Sequence, residues 1–304
     1  MSMRRLADLA ARGVLPLALV AVALALVAPS QAVADRSGLV LAVLVLITAL
    51  GVDPRELKAL RGRWRLVLAL VIVPFVVLAP VAWVIGEAFT GPVRDGALTL
   101  GLAPTEVATA GLVALALGDA ALVLAAVVGS LVVSAVLGPV VLSVVAGAEA
   151  GTGDLVGTFI LVVIVPLIAG LVIRSIAPRL REAGTVLNGA GAVVVCVLVY
   201  GALSGAEGDD IGSSAAAAAA FLAVSGLIAA GVARALPGRD PVSIPMAFAL
   251  RDFAVAAALA EAAFGSRAAG VAGVYGVLML LSGAVVAGIA GRRAPAGHAP
   301  TASG

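Results

Sequence analysis

Charge is scarce in this sequence. Asp, Glu, Lys and Arg make up 12% of its 304 residues, and aromatic residues only 4%. A soluble domain of this length needs about a quarter of its residues charged to cover its surface, so a water-soluble globular fold is excluded. The sequence holds one cysteine, Cys196, one histidine, His298, one asparagine, Asn188, and one glutamine, Gln31. A single cysteine permits neither an internal disulfide nor a thiolate metal site. A single histidine in a Pro/Gly-rich tail leaves no Ser–His–Asp unit and no intramembrane metal cluster. Gly151-Thr152-Gly153-Asp154 lacks the lysine of a phosphate-cradling loop. These absences remove enzymatic and ATP-driven readings, and they imply no cofactor. The net charge of +2 comes from scattered arginines without a basic run, which argues against a nucleic-acid partner.

What the sequence has in quantity is apolar residues, 62% of the chain, in long runs at a mean hydropathy of +1.21. No heptads and no glycine at every third position order these runs, so coiled coil, collagen and disorder all fail. An all-α polytopic membrane protein remains, with the lipid bilayer as its solvent. A spanning helix takes about 20 mostly apolar residues. Ten such stretches predict spans at 13–29, 38–52, 66–88, 96–117, 120–146, 153–173, 186–204, 213–233, 242–264 and 268–290.

Lys and Arg accumulate on the cytoplasmic side of such proteins. With the N-terminus inside, the inner segments hold Arg4, Arg5, Arg12, Arg55, Lys58, Arg61, Arg63, Arg65, Arg174, Arg179, Arg181, Arg234, Arg239, Arg292 and Arg293, fifteen of the 19. The outer segments hold only Arg36, Arg94 and Arg267, beside Glu87, Asp95, Glu149, Asp154, Glu207, Asp209 and Asp210. A wrong span count would scramble this alternation. It therefore predicts both termini in the cytoplasm of a bacterial inner (plasma) membrane.

The start of the chain also imitates a cleavable signal peptide, with Arg4 and Arg5, the run Leu15–Val27 and Ala32-Val33-Ala34. A retained first helix is preferred, because ten spans divide into two matched halves and nine do not. The halves are 1–147 and 148–291, followed by a disordered cytoplasmic tail at 292–304. Five spans per half is an odd number, so the halves enter the membrane from opposite sides, the inverted-repeat plan of many secondary transporters. A sequence echo fits this plan: Pro104-Thr105-Glu106 precedes Gly118, and Leu250-Arg251-Asp252 precedes Gly265, by about a dozen residues each.

Glu106 and the Arg251-Asp252 pair each fall about 15 Å into a bilayer about 30 Å thick. Charges at that depth face a protein interior or a watery cavity and mark transport pathways. The bland alternative is a buried ion-pair cluster that only holds two helices in register. Pro104 removes an N–H and disfavours helix at Ala103, so span 4 should open there. No proline marks Arg251, and unwinding there rests on the repeat alone. Asp119, past Gly118, suits helix capping as well as transport. Thr109 either faces the same cavity as Thr105 or bonds back to its own helix. Glu261, Trp83 and Tyr200 reach the interface. Gly129, Ser130, Ser134 and Gly138 in span 5, and Gly270, Gly273 and Gly276 in span 10, read as close-packing faces.

Three stretches carry a resemblance. They are Ile47-Thr48-Ala49-Leu50-Gly51 before the basic loop Asp53–Arg65; Ala103-Pro104-Thr105-Glu106-Val107-Ala108-Thr109 leading to Gly118-Asp119-Ala120-Ala121-Leu122; and Arg251-Asp252-Phe253-Ala254-Val255 leading through Ala256–Ala260 to Phe264-Gly265. In these, and over nearly its whole length, the chain resembles the bile acid:sodium symporter family and its wider ten-helix superfamily. The resemblance implies a panel domain of spans 1, 2, 6 and 7 beside a core domain of spans 3–5 and 8–10. Interrupted helices 4 and 9 would cross at the binding site, and the core would move against the panel. The sodium motifs of that family differ here. Where family members carry Gln-Asn in helix 9 the chain has Arg251-Asp252, where they carry an earlier Glu it has Ala247, and where they carry Ser-Asn in helix 4 it has Thr109-Ala110. A guanidinium opposes a sodium ion and suits a carboxylate or other oxyanion, or pairing with Glu106 or Asp252.

The sequence thus points to a secondary active transporter of a small organic anion, coupled to sodium or protons, with no obligate protein partner evident. Its expected binding residues are Thr105, Glu106, Thr109, Arg251 and Asp252, with Asp119 and Asn188 as further candidates. A non-transporting membrane receptor or subunit, and a passive channel, are the alternatives.

Overall fold

A computed structural model describes residues 14–52, 60–145, 151–177, 183–235 and 242–293. Outside the described residues lie the loop arginines at 4, 5, 12, 179, 181 and 239, Arg55 and Lys58, Glu149, the junction of the two halves at 147–148, and nearly all of the tail with His298. Among the described residues the chain is helical, with one isolated β-bridge. Each of the ten expected stretches carries a helix: α1 Val14–Val27, α2 Ser37–Gly51, α3 Trp64–Gly86, α4a Gly91–Leu102 and α4b Ala108–Leu115, α5 Ala120–Val145, α6 Thr152–Ile176, α7 Gly184–Ser204, α8 Gly208–Ala235, α9a Ser243–Ala249 and α9b Phe253–Phe264, and α10 Ser266–Arg293.

The boundaries that moved most have local causes. Helix α4a begins at Gly91 rather than 96, because Pro92 suits a first helical turn whose N–H groups are unpaired anyway. Helix α8 begins at Gly208 rather than 213. Asp209 and Asp210, expected in a loop, occupy its first turn, where their charge meets the positive end of the helix.

Six of these helices, α3, α5, α6, α7, α8 and α10, are long and apolar enough to cross a membrane. Their outward faces carry large apolar side chains, among them Val76, Val84, Leu161, Ile168, Val193 and Leu227. Such a belt would aggregate in water and is at home in lipid. The chain is a multi-pass membrane protein.

Lipid gives apolar helices no reason to prefer each other over acyl chains, so close backbone approach at small residues holds the interior together. A Cβ added at Gly96 would lie 2.2 Å from the carbonyl oxygen of Ala268, which fixes α4a against α10. One added at Gly101 would lie 2.5 Å from that of Leu78, on α3. Gly170 of α6 meets α2 in the same way, 2.5 Å from the Ala49 side chain. The first two of these contacts position α4a, the first half of interrupted helix 4.

Candidate functional site

Helix 4 stops at Leu102 because of the residue two places on. Pro104 forces its predecessor out of the helical region, and Ala103 is extended at φ −69°, ψ 150°. Helix 9 stops without a proline. Leu250 turns extended at φ −88°, ψ 115°, and Asp252 follows at φ −72°, ψ 104°. The Asp252 carboxylate then restarts the helix as its N-cap, accepting from the Ala254 N–H at 2.9 Å and the Val255 N–H at 3.0 Å. The capping aspartate was the signal in the sequence for this break. On the other side, Glu106 Oε1 accepts from the N–H of Ala108, the first residue of α4b, at 3.2 Å.

The two breaks meet. Thr105 and Arg251 face each other in an antiparallel bridge. The Glu106 N–H donates to the Leu250 carbonyl at 3.0 Å and the Asp252 N–H to the Pro104 carbonyl at 2.8 Å. Side chains alternate along extended backbone, so Thr105 and Arg251 share one face of the crossing and Glu106 and Asp252 the other. All four are buried, as is Thr109. The structure brings together the five principal residues predicted from the sequence.

Flanking helices complete the backbone hydrogen bonding. The Thr105 N–H donates to Ser130 Oγ of α5 at 3.0 Å, and Ser134 Oγ donates to the Leu102 carbonyl at 2.7 Å. Ser130 and Ser134 therefore serve the break in helix 4, which corrects their assignment to a packing face. On the other side the Arg251 N–H donates to the Tyr275 hydroxyl of α10 at 3.0 Å, and that hydroxyl donates to the Ala249 carbonyl at 3.4 Å. Sequence reasoning missed Tyr275. A phenol among Gly, Ala and Val in an apolar helix needs a partner for its O–H, and that was the available signal.

Of the two roles expected for Arg251, the structure lacks the pairing with Glu106 or Asp252. Its guanidinium is completely buried, yet it forms no ion pair with any described carboxylate. Alternation explains this, since Glu106 and Asp252 project from the opposite face. Instead Nη2 donates to the Ala103 carbonyl, and the guanidinium carbon lies 5.1 Å from the centre of the Phe75 ring. Its Nε and Nη1 have no hydrogen-bond partner, and neither do Glu106 Oε2 and Thr109 Oγ1. Thr109 thus makes no bond back to its own helix. A buried polar cluster with this many unused donors and acceptors is costly unless something completes it. It is not the closed ion-pair cluster of the bland reading.

The remaining candidates lie elsewhere. Asp119 caps α5, its Oδ1 accepting from the Leu122 N–H at 2.9 Å, pairs with Arg63, and through its own N–H holds Ser243 Oγ at 2.7 Å. Asn188 stands on an exposed face of α7, apart from the crossing. Glu261 accepts from the Ser37 hydroxyl rather than reaching the interface alone. Trp83 does reach outward, donating to Glu87 at 3.0 Å, and the Tyr200 hydroxyl bonds the Ala28 carbonyl at 2.7 Å.

Residues 13–286 match the model of a family described as the SBF-like CPA transporter family. The match spans the crossing, and it agrees with the resemblance drawn from the sequence motifs. No curated protein matches the chain.

Proposed function

Because this chain belongs to the SBF-like CPA transporter family, we propose that it is a secondary active transporter that moves a small organic anion by alternating access, coupled to a sodium or proton gradient. One observation carries the choice of an anion: Arg251 is fully buried, makes no ion pair, and keeps two guanidinium nitrogens without partners. Desolvating a guanidinium is expensive until acceptors arrive. A carboxylate or other oxyanion supplies them in charge-assisted form. Glu106, with Oε2 unused, is the group to take the coupling ion, and Thr109 contributes a free hydroxyl. Thr105 holds the crossing in shape around them, and Asp252 both caps α9b and adds the second carboxylate of the site. Asp119 and Asn188 are left out of the site.

The inverted-repeat plan, with halves 1–147 and 148–291, draws support from a coincidence of register. The sequence echo aligns Thr105 with Arg251, and the backbone bridge pairs the same two residues. In this plan α1, α2, α6 and α7 form a panel, and α3 to α5 with α8 to α10 form a core that moves against it. The site then opens to either side of a bacterial inner membrane, with both chain termini in the cytoplasm.

The test is flux. Purified protein in liposomes should accumulate a labelled organic anion under an imposed ion gradient, and Glu106→Gln and Arg251→Ala should each lose most of that flux. Equal flux in the variants and the parent would falsify the site.

A further inference from the structure

Thr105 and Arg251, opposite each other in the crossing, do corresponding jobs. The Thr105 hydroxyl donates to the Ala247 carbonyl in α9a at 3.1 Å. Arg251 Nη2 donates to the Ala103 carbonyl, just past the last residue of α4a. Each side chain therefore reaches across to the carbonyl end of the opposite half-helix. Helix C-termini leave carbonyls unpaired and carry partial negative charge. A hydroxyl answers that with one hydrogen bond. A guanidinium answers it with a hydrogen bond and a full positive charge.

The surroundings of that charge are those a small desolvated cation would seek. A helix-terminal carbonyl lies on one side, and the face of Phe75, negative at its centre, lies 5.1 Å away. The carboxylates of Glu106 and Asp252 stand just across the crossing. Counting formal charges, two carboxylates and one guanidinium leave the buried trio at −1 when both acids are ionised. One added proton makes it neutral. Among the described residues the other ionisable group around the trio is Tyr275 of α10, while α3 and α5 present Phe75 and Ser130.

We propose that Arg251 is a tethered cation: its guanidinium permanently occupies the place at the carbonyl end of α4a that would suit a free cation, so that the coupling ion of this chain is a proton carried by Glu106 and Asp252, not sodium. The word coupling rests on the transporter reading above, whereas the tethered cation itself does not. A second free cation beside the guanidinium would be repelled. A proton passes to a carboxylate oxygen from one side of the membrane and leaves it to the other, with no change in any other bond.

Melting of the purified protein in detergent tests this without a known substrate. At equal ionic strength, replacing choline by sodium should leave the apparent Tm of the parent unchanged. Arg251→Ala should lower it by about 5 °C or more and recover part of the loss in millimolar methylguanidinium, but not in methylurea, its neutral counterpart. Arg251→Lys keeps a charge at the position and should also ignore sodium, which keeps the test open if Arg251→Ala does not fold. A sodium-specific rise in the parent or in Arg251→Lys overturns the proposal. So does an Arg251→Ala protein that melts like the parent, or one rescued equally by methylurea. In liposomes, anion flux should persist under a pH gradient with choline replacing sodium, and an absolute sodium requirement would sink the proton assignment. Absence of any flux would remove the transporter reading while leaving the melting result standing.

Discussion

Helix 4 and helix 9 can be compared residue by residue, because they break at facing positions. The first is stopped by Pro104, which denies Ala103 a helical conformation. The second has no proline and is restarted by Asp252, whose carboxylate takes two backbone N–H groups. The backbones nevertheless arrive at one geometry, exchanging Glu106 N–H to Leu250 carbonyl and Asp252 N–H to Pro104 carbonyl. Each paired residue also has its N–H held by a hydroxyl from a neighbouring helix, Ser130 on one side and Tyr275 on the other. The crossing thus demands caps and cross-bonds, and it accepts several residue types that supply them. Identity is left free at the paired position, where one half places a neutral threonine and the other an arginine. That asymmetry is where the proposed function enters.

The two interrupted helices also differ in how they are wedged, and the largest predicted effect follows from this. Helix α4a presents its own glycines to its neighbours, whereas α9b is a buried run of alanines whose neighbours give way at Gly276 and Gly138. Gly96→Ala would drive a methyl to 2.2 Å from the Ala268 carbonyl oxygen, a backbone atom that cannot swing aside. A gain of about 1 kcal/mol in helix propensity is outweighed by overpacking of about 3 kcal/mol. Thermal melting should show the loss. A Gly96→Ala protein as stable as the parent would mean that α4a is not held against α10 in this way.

Next in size is the cap of helix 9. Asp252→Ala orphans the buried N–H groups of Ala254 and Val255 and should cost about 1.5 kcal/mol. Asp252→Asn keeps an acceptor oxygen and should recover most of that stability, while losing the charge. If the residue only shaped the backbone, Asp252→Asn would transport like the parent. The site reading expects the asparagine protein to melt near the parent and to lose gradient-driven flux.

The apolar helices were legible because long apolar runs are a coarse signal that local detail does not disturb. Glu106, Arg251 and Asp252 were legible for the related reason that charge is rare at such depth. The break at Pro104 could be read from one residue, since proline acts through its own covalent structure. What escaped were contacts between distant segments. Ser130 and Ser134 look like ordinary small residues on a packing face, and nothing near them in sequence says that helix 4 lacks two partners. Tyr275 lies 24 residues from the N–H it accepts. The failure of Arg251 to pair with Glu106 or Asp252 follows from the extended backbone between them, and a helical reading of span 9 hides that alternation.

The smallest effect probes the comparison most directly. Ser130→Ala removes the acceptor for the Thr105 N–H, and Tyr275→Phe removes the acceptor for the Arg251 N–H. Each leaves one buried N–H unpaired, so each should cost about 1 kcal/mol, measured by melting. If the two breaks are equivalent supports of one crossing, the double variant should cost more than the sum, because the strands joined by two cross-bonds loosen together. Simple additivity would instead show that each break is held by its own flanking helix. Function should separate the pair. Ser130→Ala acts on the neutral threonine and should leave flux near the parent level, whereas Tyr275→Phe loosens the residue that carries the buried charge and should lower flux beyond its effect on stability.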